Sequence, residues 1–147
     1  MTTFFLAGII QGSMSELTMH AQDYRTRLKE ILLGHVPDAE VYCPVEHHPN
    51  SLDYDDARAR EVFLGHVERG ASSDVLVAFV PEASMGTAVE MWEAYKRGGI
   101  VLTVTPMAAN WTVKFLSTRV FADLAAFEAF VTSGELARLI ATYRERT

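Results

Sequence analysis

The feature of this sequence that most constrains its fold is the regular alternation of apolar runs with helical patterns. The apolar runs have strand length and are mostly continuous, which is typical of strands covered on both faces. They lie at 3–10, 39–43, 74–80 and 99–105, with a weaker run at 119–121. This alternation predicts an α/β three-layer sandwich around a mainly parallel five-stranded sheet, of the flavodoxin-like or Rossmann-like class.

Helical patterns fill the segments between these runs. The predicted helices cover about 15–34, 54–70, 86–97 and 109–117, and 123–146 is helical as one or two helices. Thr132 and Glu135 have the spacing of a capping box, which would begin the second of these two helices. Glycines at 34, 70 and 98–99 stand where helices are expected to end.

Length, charge and cysteine content limit the possible functions. The 147 residues predict one domain, 1–147, large enough to bury a core without disulfides or metal. The net charge of −6 argues against a basic face for nucleic acid, and no segment has the ~18 apolar residues that cross a membrane. The same charge leaves room for a small-molecule partner such as a phosphorylated ligand, since such a ligand needs only a few local donors. The single cysteine, Cys43, excludes an internal disulfide and fits a cytoplasmic protein.

The loops that follow the first four strands are the expected location of a binding site. In parallel sheets, ligands bind beyond the carboxyl ends of the strands, near the point where the strand order reverses. These loops read GIIQGS (8–13), CPVEHHPN (43–50), VPEASMGT (80–87) and TPMAANW (105–111). They hold much of the Gly, Pro, His, Ser and Asn of the chain, which indicates a polar site on an apolar scaffold.

Glu90 is the carboxylate best placed for chemistry in these loops. It lies six residues after Ser84 and four after Gly86, in the second turn of a predicted helix and beside its buried stripe. Such a carboxylate would be partly desolvated near a helix N-terminus, which favours anions. Ser84 and the following backbone N–H groups would suit a phosphate or carboxylate. A solvated glutamate and a simple N-cap serine fit the same spacing, so both alternatives stay open.

The glycines after the first strand and the aspartate before the third strand are two further features of the sequence. Gly8 and Gly12 would let the backbone approach a ligand closely, although GIIQGS is neither a dinucleotide-binding nor an NTP-binding motif. Asp74 begins the third strand, at the end opposite the expected site, and is predicted to be a structural cap. Cys43 is predicted to be a small buried residue.

The remaining polar loops give weaker signals. Glu46, His47 and His48 lack the spacing of metal ligands, so no metal site is predicted and one histidine is expected to face a substrate. Asn110 and Trp111 follow the fourth strand closely. They would either reach the site or simply begin the next helix.

Three segments together resemble the nucleoside 2-deoxyribosyltransferase superfamily, which includes nucleotide N-glycosidases. They are FLAGIIQGS (5–13), the run 72–95, and GIVLTVTP (99–106) with Asn110-Trp111 behind it. Order and spacing agree over most of the chain, whereas 35–65 is hardly constrained. The resemblance implies an enzyme without a cofactor, whose glutamate nucleophile cleaves the N-glycosidic bond of a nucleoside or nucleoside 5′-monophosphate. The (deoxy)ribosyl group then passes to water or to another base.

The resemblance also assigns roles to individual residues. Glu90 corresponds to the nucleophile, and Ser84 to the position where the nucleotide hydrolases bind a 5′-phosphate. The other substrate-binding candidates are Gly8, Gln11, Gly12, Ser13, Glu46, His47, Gly86, Asn110 and Trp111. Asn110 matches an asparagine that the transferases supply to a neighbouring subunit, which implies a homo-oligomer, a dimer or larger, with shared sites.

One position departs from the family pattern. The family has an aspartate eight residues before the aspartate that begins the third strand, and here that position is His66. His66 is the second catalytic candidate because a histidine can act as an acid near neutral pH. Glu46, His47 and Asp55 are alternative sources of the acid. The departure also leaves open a nucleotide or nucleotide-sugar binding protein without turnover, or a scaffold protein with this fold.

Overall fold

The computed structural model describes residues 1–10 and 22–147. The predicted site residues Gln11, Gly12 and Ser13 lie outside these ranges. The strands are β1 (Thr2–Gly8), β2 (Ala39–Tyr42), β3 (Val75–Phe79), β4 (Ile100–Val104) and β5 (Arg119–Phe121). They form one sheet of order β2-β1-β3-β4-β5 in which every neighbouring pair is parallel. The predicted α/β class and parallel five-stranded sheet are confirmed.

Helices connect and cover the strands. They are α1 (Asp23–His35), α2 (Pro44–His47), α3 (Asp56–Ser72), α4 (Met85–Lys96), α5 (Trp111–Leu116), α6 (Leu124–Thr132) and α7 (Glu135–Arg146), with a 3₁₀ turn at Ser51–Asp53. Within the described ranges, none of the helices has the length and apolar character needed to cross a membrane.

The core has two layers, one on each face of the sheet. Alternate strand residues such as Phe4 and Leu6 pack under α1, α6 and α7. The residues between them, such as Phe5 and Ala7, pack with Met91 of α4 on the other face. Both sets are buried, which explains why the strands read as continuous apolar runs rather than alternating ones.

The strand order fixes the expected binding position. The chain passes from β1 outward to β2 and then crosses back to β3 on the other side of β1. The carboxyl ends of β1 and β3 therefore flank the switch point of the sheet, where open α/β proteins bind ligands. At the opposite, amino-terminal end of these two strands, Asp74 accepts hydrogen bonds from the backbone N–H (2.8 Å) and hydroxyl (3.1 Å) of Thr3. Its predicted structural role is confirmed, as is the burial of Cys43.

The predicted capping box at Thr132 is wrong. Thr132 is the last residue of α6, and its hydroxyl donates to the carbonyl of Ala129. Gly134, with φ of 84°, precedes α7 instead, because a glycine enters the left-handed region without steric cost. The hydroxyl of Ser133 takes the hydrogen bond from the Glu135 N–H. The helices therefore meet at a glycine turn.

Candidate active site

A cavity of about 320 Å³ lies beyond the carboxyl ends of β1 and β3. Its walls come from the end of β1, Pro44, the segment 51–54, α3 and the first turns of α4. Five of the predicted site residues line this cavity: Gly8, His66, Ser84, Gly86 and Glu90. The fold therefore brings together residues from distant parts of the chain, such as Gly8 and Glu90.

Glu90 presents a desolvated carboxyl group to the cavity. Its side chain is half-buried as a whole, but the Oε2 atom is fully buried and accepts no hydrogen bond from any group in the described ranges. Burial raises the pKa of Glu90 to about 8, and the positive charge of Arg25 partly opposes this shift. The surface-glutamate alternative therefore does not apply. A buried carboxyl oxygen without a hydrogen-bond donor costs stability.

Arg25 is a site residue that the sequence analysis missed. Its side chain is only 3% exposed, and its guanidinium donates to the carbonyls of Leu6 (2.9 Å) and Gly8 (3.2 Å) at the end of β1. It thus holds the end of β1 in place and supplies positive charge near Glu90. The available signal was its position three residues before Leu28, on the buried side of α1.

Gly8 leaves room for the side chain of Tyr24, which packs against the end of β1. A Cβ at this position would lie 2.1 Å from the hydroxyl oxygen of Tyr24. Tyr24 cannot yield easily, because it stacks on Phe79 with 4.2 Å between ring centroids and donates to the Ile9 carbonyl. Burial raises the pKa of Tyr24 to about 12, so its hydroxyl stays protonated.

Gly8→Ala is therefore expected to destabilise the protein by roughly 2 kcal/mol through this overlap. Chemical denaturation monitored by circular dichroism would measure the loss. Tyr24→Phe in the same background should recover only part of it, because the ring carbon Cζ would still lie 2.8 Å from the new methyl group. An unchanged denaturation midpoint for Gly8→Ala would show that the packing described here is wrong.

His66 lines the cavity as a neutral imidazole. Its Nε2 atom forms a hydrogen bond with the Tyr42 hydroxyl at 3.2 Å, and its ring meets the ring of His48 edge-on at 5.3 Å. Desolvation, reinforced by His48 and Arg25, lowers the pKa of His66 to about 4. Near neutral pH it is therefore not in the acidic imidazolium form, which argues against the role of acid predicted for it.

Ser84 caps α4 and also faces the cavity. Its hydroxyl oxygen accepts from the Thr87 N–H at 3.3 Å and shares a 2.8 Å hydrogen bond with the Thr87 hydroxyl. Gly86 lies beside it, and a Cβ there would make only ordinary contact with Phe63, at 3.7 Å. The N-cap alternative is thus confirmed for Ser84, and phosphate binding stays a prediction.

The acidic and histidine residues that follow β2 point elsewhere. Glu46 forms a 2.6 Å ion pair with Lys29, and His47 stacks on Tyr42. Asp55 caps α3 by accepting from the Arg58 N–H. None of these three predicted sources of an acid lines the cavity.

Asn110 and Trp111 also lie outside the cavity. Asn110 caps α5 by accepting from two backbone N–H groups, and it lines a neighbouring cavity of about 190 Å³ that also contacts Ser84. Trp111 is 77% exposed. Within the described ranges, no three His, Cys, Asp or Glu side chains lie together where they could hold a metal ion.

The fold and cavity define an α/β protein with a desolvated carboxyl group at the switch point of a parallel sheet. No family model and no curated protein sequence matches the chain. Among solved structures, a 2-deoxyribosyltransferase from the psychrotolerant bacterium Bacillus psychrosaccharolyticus matches with a TM-score of 0.65 and 17% identity, over 86% of this chain and 90% of that one.

A conserved protein from Enterococcus faecalis V583 matches over 100% of this chain and 99% of its own, with a TM-score of 0.51 and 20% identity. The chain therefore has the fold of a 2-deoxyribosyltransferase, as the resemblance predicted.

Proposed function

We propose that this protein cleaves the N-glycosidic bond of a nucleoside or nucleoside 5′-monophosphate and transfers the (deoxy)ribosyl group through Glu90. The observation that carries the proposal is the buried Oε2 atom of Glu90, which lacks a hydrogen-bond donor in the described ranges and belongs to a residue that lines the cavity at the switch point. The fold shared with a 2-deoxyribosyltransferase supports it.

The chemistry follows from an ionised carboxylate whose own position in the protein is poorly solvated. The Glu90 carboxylate attacks the anomeric carbon while the bond to the base breaks, and the ring oxygen shares the developing positive charge. Little water competes for the carboxylate, so its attraction to that charge is stronger than it would be in solution. Water or an incoming base then displaces Glu90 from the glycosyl-enzyme.

The pKa of Glu90 predicts the pH dependence of the reaction. Burial raises this pKa to about 8, so the reactive carboxylate is the minor form at pH 6 and becomes the major form above pH 8. We expect kcat/KM to rise about tenfold per pH unit below that value and then to level off. Initial rates of base release between pH 5.5 and 9.5 would measure it. If kcat/KM is already independent of pH between pH 5.5 and 7.5, Glu90 is not the ionising nucleophile.

A chromatographic assay for free base tests the proposed function. The panel contains ribo- and deoxyribonucleosides and their 5′-monophosphates, each with and without a second acceptor base. Release of base supports the proposal, and the active substrates identify the sugar, the phosphate requirement and the acceptor. If no base appears but a nucleotide raises the melting temperature, the protein is a binding protein without turnover. The neutral state of His66 favours that second candidate.

We further propose that the protein is a homo-oligomer that pairs through the outer surface of α4. Met85, Val89 and Trp92 are exposed and lie on one side of this helix, and Trp111 and Phe115 of α5 are exposed as well. Light scattering after size exclusion is expected to give at least a dimer, and Trp92→Glu is expected to shift it toward the monomer. A monomeric wild-type protein at tens of micromolar would refute this.

A further inference from the structure

Two phenol–imidazole pairs lie at the wall of the cavity, and the reaction proposed above uses neither of them. Tyr54 lines the cavity, and its hydroxyl is 2.9 Å from Nδ1 of His48. His66 lines it too, with Nε2 3.2 Å from the Tyr42 hydroxyl. The rings of His48 and His66 then meet edge-on, so the two pairs adjoin.

The proposed reaction needs a proton donor for the leaving base. When the bond between the anomeric carbon and the base nitrogen breaks, its electron pair stays on that nitrogen. A purine or pyrimidine that leaves as an anion leaves slowly, and a positioned acid accelerates such steps by about 10²- to 10⁴-fold. The predicted donor, His66, is neutral near pH 7 and already engaged with Tyr42.

Tyr54 meets the requirements that His66 does not. Tyr54 lines the cavity and carries a phenol proton that can be transferred to a leaving base. The imidazole of His48 lies 2.9 Å from the Tyr54 hydroxyl and can hold the phenolate by a hydrogen bond. The guanidinium of Arg58 lies 5.6 Å from the centre of the Tyr54 ring, where positive charge stabilises the phenolate formed after transfer.

The surroundings of Tyr54 suit a leaving base. Leu52 precedes it in the same segment, and Val62 and Phe63 of α3 line the adjacent wall. A planar base packs favourably against such apolar and aromatic side chains. A base held there would have its nitrogen atoms near the Tyr54 hydroxyl rather than in bulk water.

We propose that Tyr54 is the acid that protonates the departing base and that His48 is the positioning residue that holds its hydroxyl. This inference rests on the proposed function. As the glycosidic bond breaks, the Tyr54 proton moves to the base nitrogen, and the phenolate that remains accepts a hydrogen bond from Nδ1–H of His48. When water or an incoming base displaces Glu90, the proton that this acceptor loses returns to the Tyr54 oxygen, so the cycle balances.

Two substrates that differ in their need for a proton test the inference. A 2-deoxynucleoside needs one, whereas an N-(2-deoxyribosyl)pyridinium ion releases neutral pyridine without one. Tyr54→Phe is expected to lower kcat on the nucleoside by about 100-fold or more and to change kcat on the pyridinium compound by less than about threefold. His48→Gln is expected to show a smaller loss, again on the nucleoside alone. Tyr143→Phe, a hydroxyl deletion in α7, serves as the control.

Each outcome bears on a specific part of the account. Equal losses on both substrates, or no loss on the nucleoside, overturn the role of Tyr54 as the acid but leave Glu90 as the nucleophile. Glu90→Gln should lose activity on both substrates. If the wild-type protein cleaves neither compound, the proposed function fails and the assignment of Tyr54 fails with it. Should Tyr54→Phe not fold, as judged by circular dichroism, the two-substrate comparison with His48→Gln decides the question.

Discussion

Glu90→Gln is expected to lower the rate of base release by about 10³-fold or more. Glutamine keeps the size of the side chain and its place beside Gly8 and His66 in the cavity wall. It cannot form the covalent bond to the anomeric carbon, and it removes the negative charge that stabilises the developing cation. Single-turnover and steady-state rates on the best substrate of the panel would measure the loss.

Glu93→Gln is the matched control for this experiment. Glu93 lies one turn further along α4, where its carboxylate forms a 3.2 Å ion pair with Lys96 instead of facing the cavity. Its replacement should leave the rate within about twofold of wild type, because exposed ion pairs contribute little to the structure. Full activity of Glu90→Gln, or an equal loss in both variants, would contradict the role of Glu90.

Glu90→Gln is also expected to stabilise the folded protein at pH 7. Burial raises the pKa of Glu90 from 4.5 to about 8. Between these values the unfolded chain releases the proton while the folded protein keeps it, so the free energy of unfolding decreases as the pH rises through this window. Glu90→Gln removes this penalty and should gain on the order of 2 kcal/mol at pH 7, or several degrees in melting temperature.

Melting curves of both proteins from pH 4 to pH 8.5 would test this prediction. The difference between them should be small near pH 4, grow as the pH rises, and level off above pH 8. His66 titrates on the acid side of the same range, but its contribution is common to both proteins and cancels in the difference. A variant less stable than wild type at pH 8 would show that Glu90 is not desolvated as described. A gain in stability together with a loss of activity is typical of a functional carboxylate.

The fold could be predicted from the sequence because the sheet is covered on both faces. Val75–Phe79 and Ile100–Val104 are central strands in which residues of both orientations are buried, so the apolar pattern is continuous and short. The error at Thr132 came from side-chain spacing that fits a capping box equally well. Gly134, with its positive φ, decides where α7 begins, and a helical pattern does not reveal that local conformation.

The site was only partly predictable. Glu90 and Ser84 follow β3 directly, so their spacing in the sequence places them at the end of the sheet. Arg25 reaches the site through backbone carbonyls 17 and 19 residues away, and no motif marks such contacts. Tyr54 and His48 lie in the irregular segment after β2, where neither helical nor strand periodicity fixes the direction of a side chain.

The most direct test of the account is to trap the glycosyl group on Glu90. A fluorine at C2′ of an arabino-configured nucleoside withdraws electrons from the developing cation and slows both formation and breakdown of the intermediate. Intact-mass and peptide mass spectrometry should show one fluorinated sugar attached to the peptide that contains Glu90, and none on Glu90→Gln. Release of base without an adduct on Glu90, or an adduct on another residue, would contradict the central claim that Glu90 is the nucleophile.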